Sequence, residues 1–181
     1  ALAISDVNFC LVPEVRFSLD VFLDALRLRL EKRGHAVIVV GEGAGQGLLK
    51  ATGARDASGN VRLGDIGVFL RDRINGYFKK VGMEANLKYI DPSYTIRSLP
   101  ANSMDSSFCL ILGQHAVHAG MAGRTDMLVS YWNGRFTHVP LALATSRRKQ
   151  LDPRGEVWQR VLEATGQPAC MGGDGEPGGG R

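Results

Sequence analysis

The sequence predicts an α/β fold: a parallel-rich sheet with βαβ units and flanking helices, followed by a C-terminal β-hairpin and a disordered tail. Three observations predict it. Short apolar runs, mostly β-branched, alternate with stretches in which apolar residues recur at helical spacing. An Asn133-Gly134 pair separates two later strand-like runs, and Asn-Gly is the strongest short hairpin signal. Beyond Gly166 apolar residues become sparse, and the end of the chain, MGGDGEPGGGR, has the composition of a disordered segment. The organisation expected is one folded region over residues 1–168 and a tail over 169–181.

The elements follow in order. VNFCLV, Val7 to Val12, reads as a buried strand ended by Pro13 and Glu14. Ser18 is placed to cap a helix whose apolar positions are Leu19, Phe22, Leu23, Leu26 and Leu30. Lys32 and Arg33 suit the negative end of that helix, and Gly34 suits its stop. AVIVV, Ala36 to Val40, is apolar throughout, as expected of a strand covered on both faces, and completes a βαβ unit. A glycine run, Gly41-Glu42-Gly43-Ala44-Gly45-Gln46-Gly47, follows. DASG, Asp56 to Gly59, reads as a surface turn. Leu63, Ile66, Phe69, Leu70, Ile74 and Phe78 mark a second helix that ends near Gly82, with Arg71, Arg73, Lys79 and Lys80 on its exposed side. Leu87 to Ile90 is the third expected strand. A helix over Asp105 to Gly123 carries Ala116, Ala119, Gly120 and Ala122, which allow close backbone approach and imply burial or an interface. The hairpin strands are Met127–Trp132 and Phe136–Val139, and a last helix covers Pro153 to Thr165.

Composition narrows the functional classes. With 181 residues the chain can bury a core as one domain, and 44% hydrophobic with 22% charged residues is ordinary for a soluble globular protein. A formal charge of +4 suits an anionic substrate but is too small and dispersed for nucleic acid. Cys10, Cys109 and Cys170 are far apart and odd in number, so they predict free thiols in a reducing compartment, here the cytoplasm, and neither a disulfide framework nor a zinc site. No apolar run approaches the roughly 18 residues of a membrane span, and no signal peptide is evident. The chain starts at Ala1, close to an expected strand, as a piece cut from something longer would.

Four residues are candidates for binding. Glu42 sits in the glycine run at the end of a buried strand, where α/β proteins bind ligands. It reads as a carboxylate accepting hydrogen bonds from sugar hydroxyls, or else as an acid capped by loop amides. Lys88, Tyr94 and Arg97 surround the turn at Pro92-Ser93, and together they read as a grip on the phosphate of a sugar phosphate. The alternative for Lys88 and Arg97 is a pair of solvated surface charges. The glycine run matches neither the dinucleotide spacing nor a phosphate-binding loop ending in Lys-Ser/Thr, so a generic dinucleotide binder is a weak rival. His115 and His118 lack the acidic partner of a zinc motif and read as core or interface residues. No G-x-S-x-G supports a nucleophilic serine.

AVIVVGEGAGQ, DASGN, LKYIDPSYTIRS, AVHAGMAGRT and NGRFTHVP together resemble the C-terminal half of 6-phosphofructokinase, most of all its plant- and protist-type ATP-dependent branch. The likeness runs from about Asn8 to Pro140 and more weakly through Trp158 and Gln167-Pro168. It implies transfer of a phosphoryl group from ATP, with Mg2+, to the 1-hydroxyl of fructose 6-phosphate in glycolysis, by an allosteric homo-oligomer. It places Glu42 on the sugar hydroxyls, Tyr94 and Arg97 on the 6-phosphate, and Lys88 on a basic position that reaches the phosphate from a neighbouring subunit. Glu14 falls in a segment near an effector site in some bacterial relatives, and its role stays open. Asp126 and Ser130 stand where the family has glycine, and Thr95 where methionine is common. The family's nucleotide-binding glycine loops, its P-K-T-I-D-N-D segment with the catalytic aspartate and its Met-Gly-Arg segment do not occur in these 181 residues. The resemblance therefore implies a substrate-binding part with no catalytic residue of its own, ATP and Mg2+ being held mainly by the other half. A pyrophosphate-dependent phosphofructokinase and a non-catalytic regulatory paralogue are the competing readings.

Overall fold

Strands β1 (Phe9–Leu11) and β2 (Ile38–Val40) pair in parallel, with Phe9 opposite Ile38 and Leu11 opposite Val40, and helix α1 (Leu19–Arg33) connects them. This is the expected βαβ unit, with strands shorter than the apolar runs that announce them. The structure is a computed structural model, and it describes residues 1–49 and 63–172. The expected turn at Asp56–Gly59 and most of the expected tail lie outside the described residues. The chain divides into two compact units, Ala1–Asp91 with Gln150–Arg181, and Pro92–Lys149.

The first unit holds most of the core. α1 starts after Ser18, whose backbone is extended as a cap requires, although its hydroxyl makes no capping bond. It stops at Gly34, which adopts φ 74° and donates its N–H to the Leu30 carbonyl at 2.8 Å. Phe22 on α1 is fully buried and meets Phe9 and Phe17 edge-on, at centroid distances of 5.4 and 5.9 Å. Helix α2 (Ile66–Val81) buries Ile66, Leu70, Ile74 and Phe78, one residue per turn along one stripe. Asp65 caps it by accepting the Val68 N–H at 2.9 Å, and Gly82 ends it at φ 69°. Leu63, expected on the same stripe, precedes the helix and is exposed.

The chain returns to this core after residue 150. Helix α6 (Glu156–Thr165) buries Trp158, Val161 and Thr165. Buried Gln167 then bonds both backbone groups of Cys10: its Oε1 accepts the N–H at 2.6 Å and its Nε2 donates to the carbonyl at 3.3 Å. Met171, assigned by composition to the tail, is buried, bridges Phe17 and accepts the Ser18 N–H at 2.6 Å.

Leu87 to Ile90 is not a strand: it pairs with neither sheet. Its period-two pattern is nonetheless obeyed. Met83, Ala85 and Leu87 pack on the core while Glu84, Asn86 and Lys88 are exposed. Alternation reports which side chains face a core, and a core can take that pattern without offering a hydrogen-bonding edge. The outer edge of β1 is occupied by the Gln167 amide.

The second unit comprises α3 (Ser93–Ser98), α4 (Ser103–Met121), the antiparallel strands β3 (Met127–Trp132) and β4 (Arg135–Pro140), and α5 (Leu141–Ala144). Asn133 and Gly134 both have positive φ, 49° and 77°, as the predicted tight hairpin requires. Phe108 of α4 packs on Tyr131 and Phe136, and His115 stacks on Phe136 at 4.8 Å. α4 was expected to be buried or at an interface. Within this chain it buries Ala119 alone, and Met104, Leu110, Val117 and Met121 are exposed. Asp126 has φ 53°, so the left-handed turn for which the resemblance expects glycine is kept with an aspartate in it. Ser130 lies in β3 opposite Thr137, in ordinary strand backbone.

Two stability measurements check this architecture by urea unfolding. Phe22→Ala empties the centre of the aromatic cluster and should cost about 3–5 kcal/mol. Asp126→Gly relieves a left-handed aspartate and should be neutral or stabilising by up to about 1 kcal/mol, whereas Asp126→Val should destabilise.

Candidate functional site

The loop after β2 shows why the glycines are there. The Ala44 N–H donates to the Gly41 carbonyl at 2.8 Å, and Ala44 is fully buried. A Cβ on Gly43 would lie 2.9 Å from the Pro13 ring, and Gly45, at φ 60°, sits against Phe17 and Ile66. The Gln46 amide makes three bonds: Nε2 donates to the carbonyls of Glu42 at 2.9 Å and Gly64 at 3.1 Å, and Oε1 accepts the Gly64 N–H at 3.0 Å. The loop is thus tied to the entry of α2. The Glu42 side chain is exposed, and its carboxylate has no hydrogen-bond or ion-pair partner among the described residues. No loop amide caps it.

Lys88 is exposed and likewise unpartnered among the described residues. Next to it, the Tyr89 hydroxyl donates to Asp65 Oδ1 at 3.4 Å. Loss of solvent around the phenol, and then the carboxylates of Asp65 and Asp91, push its pKa above the ordinary tyrosine value. Burial also raises the pKa of the half-buried Cys10 thiol. Glu14 has a structural partner: its Oε1 accepts the Leu151 N–H at 3.2 Å.

Tyr94 and Arg97 lie on α3, one helical turn apart, and so share a side of it. The Ser98 hydroxyl donates to the Tyr94 carbonyl at 2.7 Å and closes that short helix. Tyr94 is 82% exposed, Arg97 is exposed too, and neither side chain has a partner among the described residues. Glu42 and Lys88 therefore belong to the first unit, and Tyr94 and Arg97 to the second. Sequence reasoning passed over Gln46, which holds the glycine loop, and Gly67, which lies against Tyr89. The second had a readable signal: a glycine inside an amphipathic helix costs stability unless something approaches closely there.

No protein-family model matches the chain. Curated proteins do. It is 49% identical, over 95% of its length, to an ATP-dependent 6-phosphofructokinase of Amycolatopsis methanolica, of which it covers 40%. It is 46% identical over 94% of its length to the enzyme of that name from Borreliella burgdorferi, again covering 40%. The chain is homologous to part of the ATP-dependent 6-phosphofructokinases. Plant members are among the relatives: the chloroplastic ATP-dependent 6-phosphofructokinase 5 of Arabidopsis thaliana is 42% identical over 93% of the chain. The chain spans about two fifths of the length of the first two of these 6-phosphofructokinases.

Side chains that support the fold lose stability when replaced, and free ones do not. Glu42→Gln, Lys88→Met and Arg97→Gln should each leave the free energy of urea unfolding within about 0.5 kcal/mol of the parent. A larger loss at any of them would mean that the side chain holds structure.

Proposed function

We propose that this chain is the C-terminal, fructose 6-phosphate-binding part of an ATP-dependent 6-phosphofructokinase, which makes fructose 1,6-bisphosphate by phosphorylating the 1-hydroxyl. The observation that carries the reading is the 49% identity sustained over 95% of the chain. The four candidate side chains support it, because each is exposed and free of internal partners among the described residues. In this reading Glu42 accepts hydrogen bonds from sugar hydroxyls, Arg97 grips the 6-phosphate with its forked guanidinium, and the Tyr94 hydroxyl donates to the same phosphate. Lys88 adds a point charge from a neighbouring subunit, so the active protein is a homo-oligomer. ATP and Mg2+ belong to the remainder of the protein, since phosphoryl transfer needs positioned donor, metal and base together and the segments that supply them do not occur in these 181 residues. The three free cysteines support a reducing compartment, which we take to be the cytoplasm.

The test joins this chain to the remaining sequence of the Amycolatopsis relative and measures ADP and fructose 1,6-bisphosphate production. Fructose 6-phosphate should be phosphorylated, and its absence as a substrate would sink the kinase reading. Arg97→Ala should raise the KM for fructose 6-phosphate by about 10-fold or more while leaving that for ATP within about twofold, because a charge-assisted phosphate bond is lost only at the acceptor. An unchanged sugar-phosphate requirement would remove Arg97 from the site.

A further inference from the structure

Lys88 lies in a stretch with no strand pairing and no helix, yet a residue that grips phosphate must be held in one orientation. What holds it can be read from the neighbours. Met83, Ala85 and Leu87 face the core in alternation and Lys88 and Ile90 are exposed, while Tyr89, next in the alternation, stays 41% exposed and lays its ring against α2. There it meets Gly67, in the first turn of α2. A methyl group on Gly67 would lie 2.6 Å from Tyr89 Oη and 2.7 Å from Cζ, with Cε2 nearer still. Cβ atoms do not make such contacts, so the ring keeps this place only while residue 67 is glycine. The hydroxyl reaches Asp65 Oδ1 at 3.4 Å, and the same oxygen caps α2 through the Val68 N–H at 2.9 Å. Ring, notch and cap form one unit on the rigid start of a helix.

We propose that Gly67 and Tyr89 are positioning residues: the Tyr89 ring seated on Gly67 sets the register of the stretch that presents Lys88 to the sugar phosphate. The proposal rests on the reading of Lys88 as a phosphate ligand. Its physical content is the two-residue period: a slip by one residue would turn Lys88 toward the core and Leu87 outward, and the stretch has no ladder to prevent it.

The test uses the completed protein described above, with Gly67→Ala, Tyr89→Ala, the double variant and Lys88→Ala. Gly67→Ala and Tyr89→Ala should each raise the KM for fructose 6-phosphate by about three- to tenfold, with kcat and the KM for ATP changed by less than about twofold. The double variant should be no worse than either single one, since both remove the same contact. An activity-independent readout accompanies these: in Gly67→Ala, one tyrosine should titrate at lower pH than in the parent as its ring leaves the notch, with Tyr89→Phe assigning it. Lowered stability with an unchanged KM would show a purely structural contact and overturn the proposal. So would an additive double variant. If Gly67→Ala does not fold, Tyr89→Ala, at a partly exposed position, decides by the same measurement. A normal KM in Lys88→Ala would overturn the proposal together with the site reading, and would identify the site reading as the one that failed.

Discussion

Strand β1 is bonded along both edges, and the first unit depends on that. One edge carries the parallel ladder to β2, extended at its start by Asn8, whose Oδ1 accepts the Val37 N–H at 2.9 Å. The other carries the Gln167 amide, which satisfies Cys10 as a neighbouring strand would. A buried strand cannot leave N–H and C=O groups unpaired without a cost of about 1–3 kcal/mol each. A single glutamine from 157 residues away supplies both partners, and so ties α6 and the late chain to the opening βαβ unit. Phe9 on the same strand carries the aromatic contact with Phe22 that seats α1.

From that frame the candidate residues Glu42 and Lys88 inherit their order. β2 ends in a loop where Pro13 demands glycine at 43 and Phe17 and Ile66 demand it at 45, and Gln46 fastens the loop to the start of α2. The fastening uses backbone groups and leaves the Glu42 carboxylate free. α2 in turn provides the notch for Tyr89. A rigid scaffold with unpartnered polar side chains at its surface is what a binding site needs, because those groups then meet a ligand without first giving up internal bonds.

The second unit is built on a different balance. Its hairpin is well specified, by Asn133-Gly134 and by the cluster of Phe108, Tyr131, Phe136 and His115. Its interior is thin, and α4 exposes large apolar side chains, Met121 at 84% among them. The aspartate at 126, where the family resemblance expects glycine, keeps the left-handed backbone, so the departure alters strain more than shape.

Sequence by itself determined the elements whose signals are local. Helical spacing, Gly34 and Gly82 at helix ends, and the Asn-Gly turn all act within a few residues, and all appear where they were expected. The four candidate site residues were named from chain position and family likeness. The features that were misread or overlooked have one cause. Whether Leu87–Ile90 joins a sheet, whether Met171 is tail or core, and whether Gln46 and Gln167 are surface or clamp depend on partners distant in sequence. Periodicity reports that a side chain faces a core, and composition reports that a segment can be buried. Only the tertiary structure decides which backbone edge, notch or amide is there to receive it.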